Sequence, residues 1–172
     1  MKKTFIILVL LISAAMGVQA QSLVGTWKGV TETDDDGDKT TMFYVFKLGN
    51  KVDMKMLFET EDDEIGKMEF AYSMPGTYTR NGQEMTVHFD PKQSKAKLEK
   101  IVFTAELVEE FKTNPEMKDL VLDMLQEEIN KEMKKQFENE TSYDGDLTIK
   151  QLTATKLVIE DGDETLSFTR SR

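Results

Sequence analysis

Residues 52–59 constrain the fold more than any other stretch. Val52, Met54, Met56 and Phe58 alternate with Asp53, Lys55, Leu57 and Glu59. A period of two sends the two sets to opposite faces of an extended chain, so the run predicts a strand with one buried face and one mostly polar face. The pattern recurs in Met42, Tyr44, Phe46 and Leu48, in Met68, Phe70, Tyr72 and Met74, and in Met85, Val87 and Phe89. Turn signals separate the runs: Asp34 to Lys39, Gly49-Asn50, Thr60 to Glu64, Asn81-Gly82 and Asp90-Pro91-Lys92. Pro75-Gly76 is expected to bend or break its strand, and Leu98 to Phe103 reads as a further, less regular one. Short strands joined by tight turns bury a common apolar face by forming an antiparallel sandwich or an up-and-down barrel.

The first of these strands holds the only tryptophan. Leu23, Gly25, Trp27 and Gly29 alternate with Val24, Thr26 and Lys28. Gly25 removes a side chain two residues before the indole and lets a neighbour lie close to it. A buried indole also needs an acceptor for its N–H. Ahead of this strand, Met1-Lys2-Lys3, the apolar run Phe5 to Ile12 and the small-residue ending Val18-Gln19-Ala20 form a secretory signal pattern. Cleavage is expected after Ala20, leaving residues 21–172 as one domain, secreted or periplasmic. With no cysteine near the cut, it is not expected to be a lipoprotein.

The mature chain carries 20 basic residues (22 less Lys2 and Lys3) against 32 acidic ones, a net charge of −12. That balance argues against nucleic acid and anionic membrane surfaces as partners. There is no cysteine, hence neither a disulfide framework nor thiol chemistry.

The period changes after Thr104. Thr104 can cap a short helix carrying Leu107, Val108 and Phe111, and Asn114-Pro115 starts a second. Met117, Leu120, Val121, Met124, Leu125, Ile129, Met133 and Phe137 recur at spacings of three and four, which predicts an amphipathic helix to about Phe137. The helical insert thus covers about 104–140. Three last strands follow, marked by Leu147 and Ile149, Leu157 and Ile159, and Leu166 and Phe168.

Taken together, the Gly25-Thr26-Trp27 triplet, Gly76-Thr77-Tyr78 followed by Asn81-Gly82, the closing meander Leu147 to Phe168, and an arginine directly after the last strand resemble a lipocalin. The closest likeness is to the small lipocalin-like domains of secreted Bacteroidetes proteins. The resemblance implies a mainly β, antiparallel up-and-down barrel, and it assigns Arg170 to packing across Trp27. Gly25, Trp27 and Arg170 are then the structural signature. The chain departs from the family pattern in carrying its inserted helical pair before the last three strands rather than after the barrel.

The expected function is non-catalytic binding of a small apolar or amphipathic molecule, with Tyr44, Phe46, Met54, Met56, Phe58, Met68, Phe70, Tyr72 and Met85 as candidate ligand-binding residues. Methionine adapts to varied apolar partners, although a small barrel can equally be filled by its own side chains. The alternative is a packed barrel acting as a cell-envelope interaction module through its helices or acidic loops. No catalytic residue stands out: His88 is the only histidine and is placed on the outward face, and the carboxylates show no acid–base spacing. No cofactor or resident metal is expected. Asp34 to Asp38 invites a calcium reading, but a twelve-residue loop begun at Glu32 would end on Phe43 rather than an acid, which leaves only weak calcium binding by the paired acidic turns Asp34–Asp38 and Glu61–Glu64 as an alternative.

Overall fold

A computed structural model of the chain describes residues 22–171, apart from 36 and 138–142. The expected signal segment lies outside them. Nine strands form: β1 (Gly25–Thr33), β2 (Lys39–Lys47), β3 (Lys51–Asp62), β4 (Gly66–Asn81), β5 (Glu84–Phe89), β6 (Lys95–Phe103), β7 (Tyr143–Leu152), β8 (Lys156–Asp161) and β9 (Glu164–Ser171). Two helices, α1 (Ala105–Thr113) and α2 (Pro115–Phe137), lie between β6 and β7.

Eight strands close an antiparallel barrel in the order β1-β2-β3-β4-β5-β7-β8-β9, and β9 returns to β1. This is an up-and-down barrel with an inserted helical pair. The inserted unit also includes a strand: β6 stands outside the ring, paired only with the first half of β4. The sequence reading counted Leu98 to Phe103 among the strands without separating it from the ring. Period two reports which face a residue takes, not which strand lies alongside.

The 16-residue strand β4 makes this branching workable. It pairs with β3 along Gly66–Thr77, with β6 over Gly66–Ser73, and with β5 over Gly76–Asn81. Pro75 therefore does not break the strand. It sits where β6 has ended and β5 begins, so its missing N–H takes no bond from either partner, while its carbonyl accepts from Asp90 N at 3.0 Å. Gly76 is where β5 crosses closest: a Cβ there would meet the His88 carbonyl oxygen at 2.3 Å. The β4–β5 loop is Gly82-Gln83, one residue later than Asn81-Gly82, with Gly82 at φ 65°. At the β2–β3 turn, Gly49 (φ 74°) and Asn50 (φ 58°) both take left-handed conformations.

The insert is tied down at both ends of its first strand. Thr104 accepts from Leu107 N at 3.4 Å, capping α1, and donates to the Glu64 carbonyl at 3.1 Å, which anchors the helix start to the β3–β4 turn. Phe111 of α1 meets Phe103 edge-on, with centroids 4.9 Å apart. From α2, Gln126 accepts from Leu98 N at 2.9 Å and donates to the Ala96 carbonyl at 3.1 Å. One side chain thereby replaces a neighbouring strand on the edge of β6, where unpaired backbone groups would otherwise invite association.

Candidate functional site

One end of the barrel is plugged. Trp27 and Arg170 are cross-strand partners on β1 and β9, and the guanidinium carbon lies 4.3 Å from the ring centroid. Arg170 is a residue of the last strand rather than one beyond it. Its Nη1 donates to the Val24 carbonyl at 2.9 Å and its Nη2 to the Ser22 carbonyl at 2.6 Å, while Trp27 Nε1 donates to the Leu23 carbonyl at 2.7 Å. Gly25 makes room: its φ is +140°, and a Cβ would stand 2.7 Å from Arg170 Nη1.

Behind this plug the interior is filled by its own side chains. Tyr44 packs on Phe168 and Phe89, with centroids 5.3 and 6.2 Å apart, and Phe46 meets Tyr78 edge-on at 5.1 Å. Val52, Met74, Val87, Leu157 and Ile159 are also fully buried there.

Toward the other end the packing loosens. Strand register sets the inward side chains in rows across the sheet. Met42, Met56, Tyr72 and Ala96 form one row, Thr40, Phe58, Phe70 and Leu98 the next, and Thr60, Met68 and Ile101 a third. Apart from the buried Tyr72, all of these are half-buried. Phe58 and Phe70 stack with centroids 5.0 Å apart.

The ring also has a seam in this half. β1 and β9 pair only over Thr26–Lys28 and Thr169–Ser171, and beyond that they part. A cleft of about 340 Å³ opens between them, lined by Gly29, Val30, Met42, Leu166 and Phe168 among others. Of the nine candidate ligand-binding residues, Tyr44, Phe46, Met54, Tyr72 and Met85 therefore sit in the packed core, while Met56, Phe58, Met68 and Phe70 sit at the loosely packed end. Met42 and Leu166, which the sequence reading placed on strands but not in the site, join the second group.

The outer face holds a feature the sequence reading missed. Thr26, Phe43, Val45, Leu57 and Ala71 line a groove of about 510 Å³, bordered by Asp53, Lys55 and Glu99. The signal was present in β2, where Met42 to Phe46 is apolar at five consecutive positions. A strand apolar on both faces is ordinarily covered on both.

His88 is exposed and pairs with Asp144 across β5 and β7. The turn at Asp34 folds on itself, with Asp34 Oδ1 accepting from Asp38 N at 2.9 Å. Among the described residues, no group of three or more His, Cys, Asp or Glu is arranged to hold a metal ion. At the exposed surface, the hydrogen bond from Lys97 holds the Glu99 carboxyl below its usual range, and the bond to Glu69 holds Lys100 above its own.

The class defined by these elements is a closed eight-stranded antiparallel β-barrel, plugged at one end and loosely packed at the other. No protein-family model matches the sequence, and no curated protein is significantly similar to it. Among the described residues, no helix is long and apolar enough to cross a membrane.

Proposed function

We propose that this chain is an exported, lipocalin-like binding protein that holds a small apolar or amphipathic molecule, without catalysis, at the loosely packed end of its barrel. The observation that carries this reading is the parted seam between β1 and β9. Its cleft of about 340 Å³ is floored by Met42, Leu166 and Phe168, within the range of small-molecule sites, roughly 300–1,000 Å³. Met42 lies beside Met56 in the sheet, and Phe58 beside Phe70, so the apolar lining runs on from the cleft along the inner face. The flexible methionines suit a ligand of variable shape.

Native mass spectrometry of the mature protein, purified from its own host and then extracted with solvent, tests the reading. A reproducible extra mass that leaves with the solvent supports it. A bare mass that persists after incubation with fatty acids and sterol-like probes overturns it.

A second reading rests on the insert. Leu120 and Met124 on α2 are each 60% exposed, and Val108 on α1 is exposed nearby in sequence. This apolar surface suits a cell-envelope protein partner. A molecular mass that rises with concentration in size-exclusion chromatography, and that Met124→Glu returns to the monomer value, favours self-association through α2.

A further inference from the structure

We infer that the outer groove on β2, β3 and β4 is a second ligand site, separate from the barrel mouth, and that it takes a long-chain carboxylate. The floor is apolar: Phe43, Val45, Leu57 and Ala71 project from three adjacent strands, and Ala71 is buried.

The charge around this floor is ordered. Register places Lys28, Phe43, Lys55, Ser73 and Lys95 in one row across five strands. Among the described residues none of these three lysines makes an ion pair, on a chain whose acidic residues far outnumber its basic ones. The two carboxylates on the groove are held by other lysines, Asp53 by Lys47 and Glu99 by Lys97 at 2.8 Å. Lys55 borders the floor without an ion pair of its own, although its charge also acts on Glu99.

An apolar floor with one available ammonium at its border matches an alkyl chain that ends in an anion. The carboxylate sits at Lys55, and the chain lies over Phe43, Leu57 and Ala71. A protein partner fits less well, because four floor side chains fall far short of the roughly 20–30 residues that each side of a standard interface engages. The volume of about 510 Å³ is that of a small-molecule site.

The test is an amide-resolved NMR titration of the mature protein with dodecanoate and with its neutral counterpart dodecanol, both below micelle-forming concentrations. Dodecanoate is expected to shift the amides of Val45, Leu57 and Ala71. Lys55→Glu should weaken that binding about tenfold or more, and Lys55→Arg should retain it. Dodecanol should bind more weakly and respond little to either change. An unchanged melting temperature and Trp27 emission verify that the variants fold, which the exposure of Lys55 favours. Dodecanoate shifts confined to Met42, Phe58 and Leu166 would overturn the proposal and leave the barrel mouth as the site. Equal affinity of wild type and Lys55→Glu would overturn it as well.

Discussion

Arg170 lies across the face of Trp27, 4.3 Å from the ring centroid, and the same guanidinium clasps the Ser22 and Val24 carbonyls of the chain leading into β1. The first and last strands of the barrel are thus joined by a stacked ring, two charge-assisted hydrogen bonds and a short ladder. Trp27 is fully buried, so its fluorescence should resist iodide quenching in the folded protein and become accessible on unfolding. Trp27→Ala should cost about 3–5 kcal/mol in denaturant unfolding. Arg170→Ala should cost about 2 kcal/mol, because it removes hydrogen bonds to a charged donor and uncovers the indole. Iodide should then reach Trp27 while the barrel remains folded.

The glycine that accommodates this stack should be nearly irreplaceable. Gly25→Ala places a Cβ 2.7 Å from Arg170 Nη1 on a backbone at φ +140°. About 2 kcal/mol of destabilisation is expected, lowering Tm by roughly 4–8 °C for a domain of this size. Combining it with Arg170→Ala should cost less than the sum of the two, since the steric contact is then gone. Additive losses in the double-mutant cycle would show that the two residues act independently.

Gln126 should behave as a clasp on the edge of β6. Gln126→Leu leaves the part-buried Leu98 N–H and Ala96 carbonyl without their partner and should cost about 1–3 kcal/mol. Hydrogen exchange is the sharper readout. The Leu98 amide should exchange faster, while Val87 and Ile159, within the ring, should stay protected.

The two halves of the barrel should respond differently to the same truncation. Phe89 is fully buried among Tyr44 and the plugged core, so Phe89→Ala should cost about 3–5 kcal/mol. Phe58 is half-buried at the loose end, and Phe58→Ala should cost about 1 kcal/mol. Similar losses at the two positions would mean that the loose end is as tightly filled as the plugged one.

A small pH effect attaches to the outer groove. The Lys97 hydrogen bond depresses the Glu99 pKa in the folded state. A depressed carboxylate adds stability above its unfolded pKa and loses it as pH falls through the folded pKa. Lys97→Ala should therefore move the Glu99 titration upward, as read from its side-chain carboxyl carbon by NMR. The stability change should be slight, because water screens this exposed pair.

The strands, most of their turns and both helices were legible in the sequence because each depends on local periodicity or on a residue with a conformational preference. Val52 to Phe58 could be nothing but a strand with two unlike faces. Thr104 and Pro115 marked the helix starts through their backbone chemistry. The site was legible only in part. Alternation tells which face Met54 and Met68 share, but says nothing of how far along the barrel each lies. Met54 ends in the plugged core and Met68 at the loose end. Pro75 shows the same limit: a strand-breaker by local rules, it is tolerated because two successive partners happen to meet beside it.

By itself, the sequence determined antiparallel strands, in a sandwich or a barrel, with a helical interruption and a charge balance unsuited to nucleic acid, since period, turn chemistry and net charge are properties of neighbouring residues or of simple sums. Only the tertiary structure decided that β6 leaves the ring, that β1 and β9 part above Lys28, and that Phe43 and Leu57 meet on the outer face. Each of these depends on strand partners and register between residues far apart in the chain, and pairing at that distance is settled by the closure of the whole barrel.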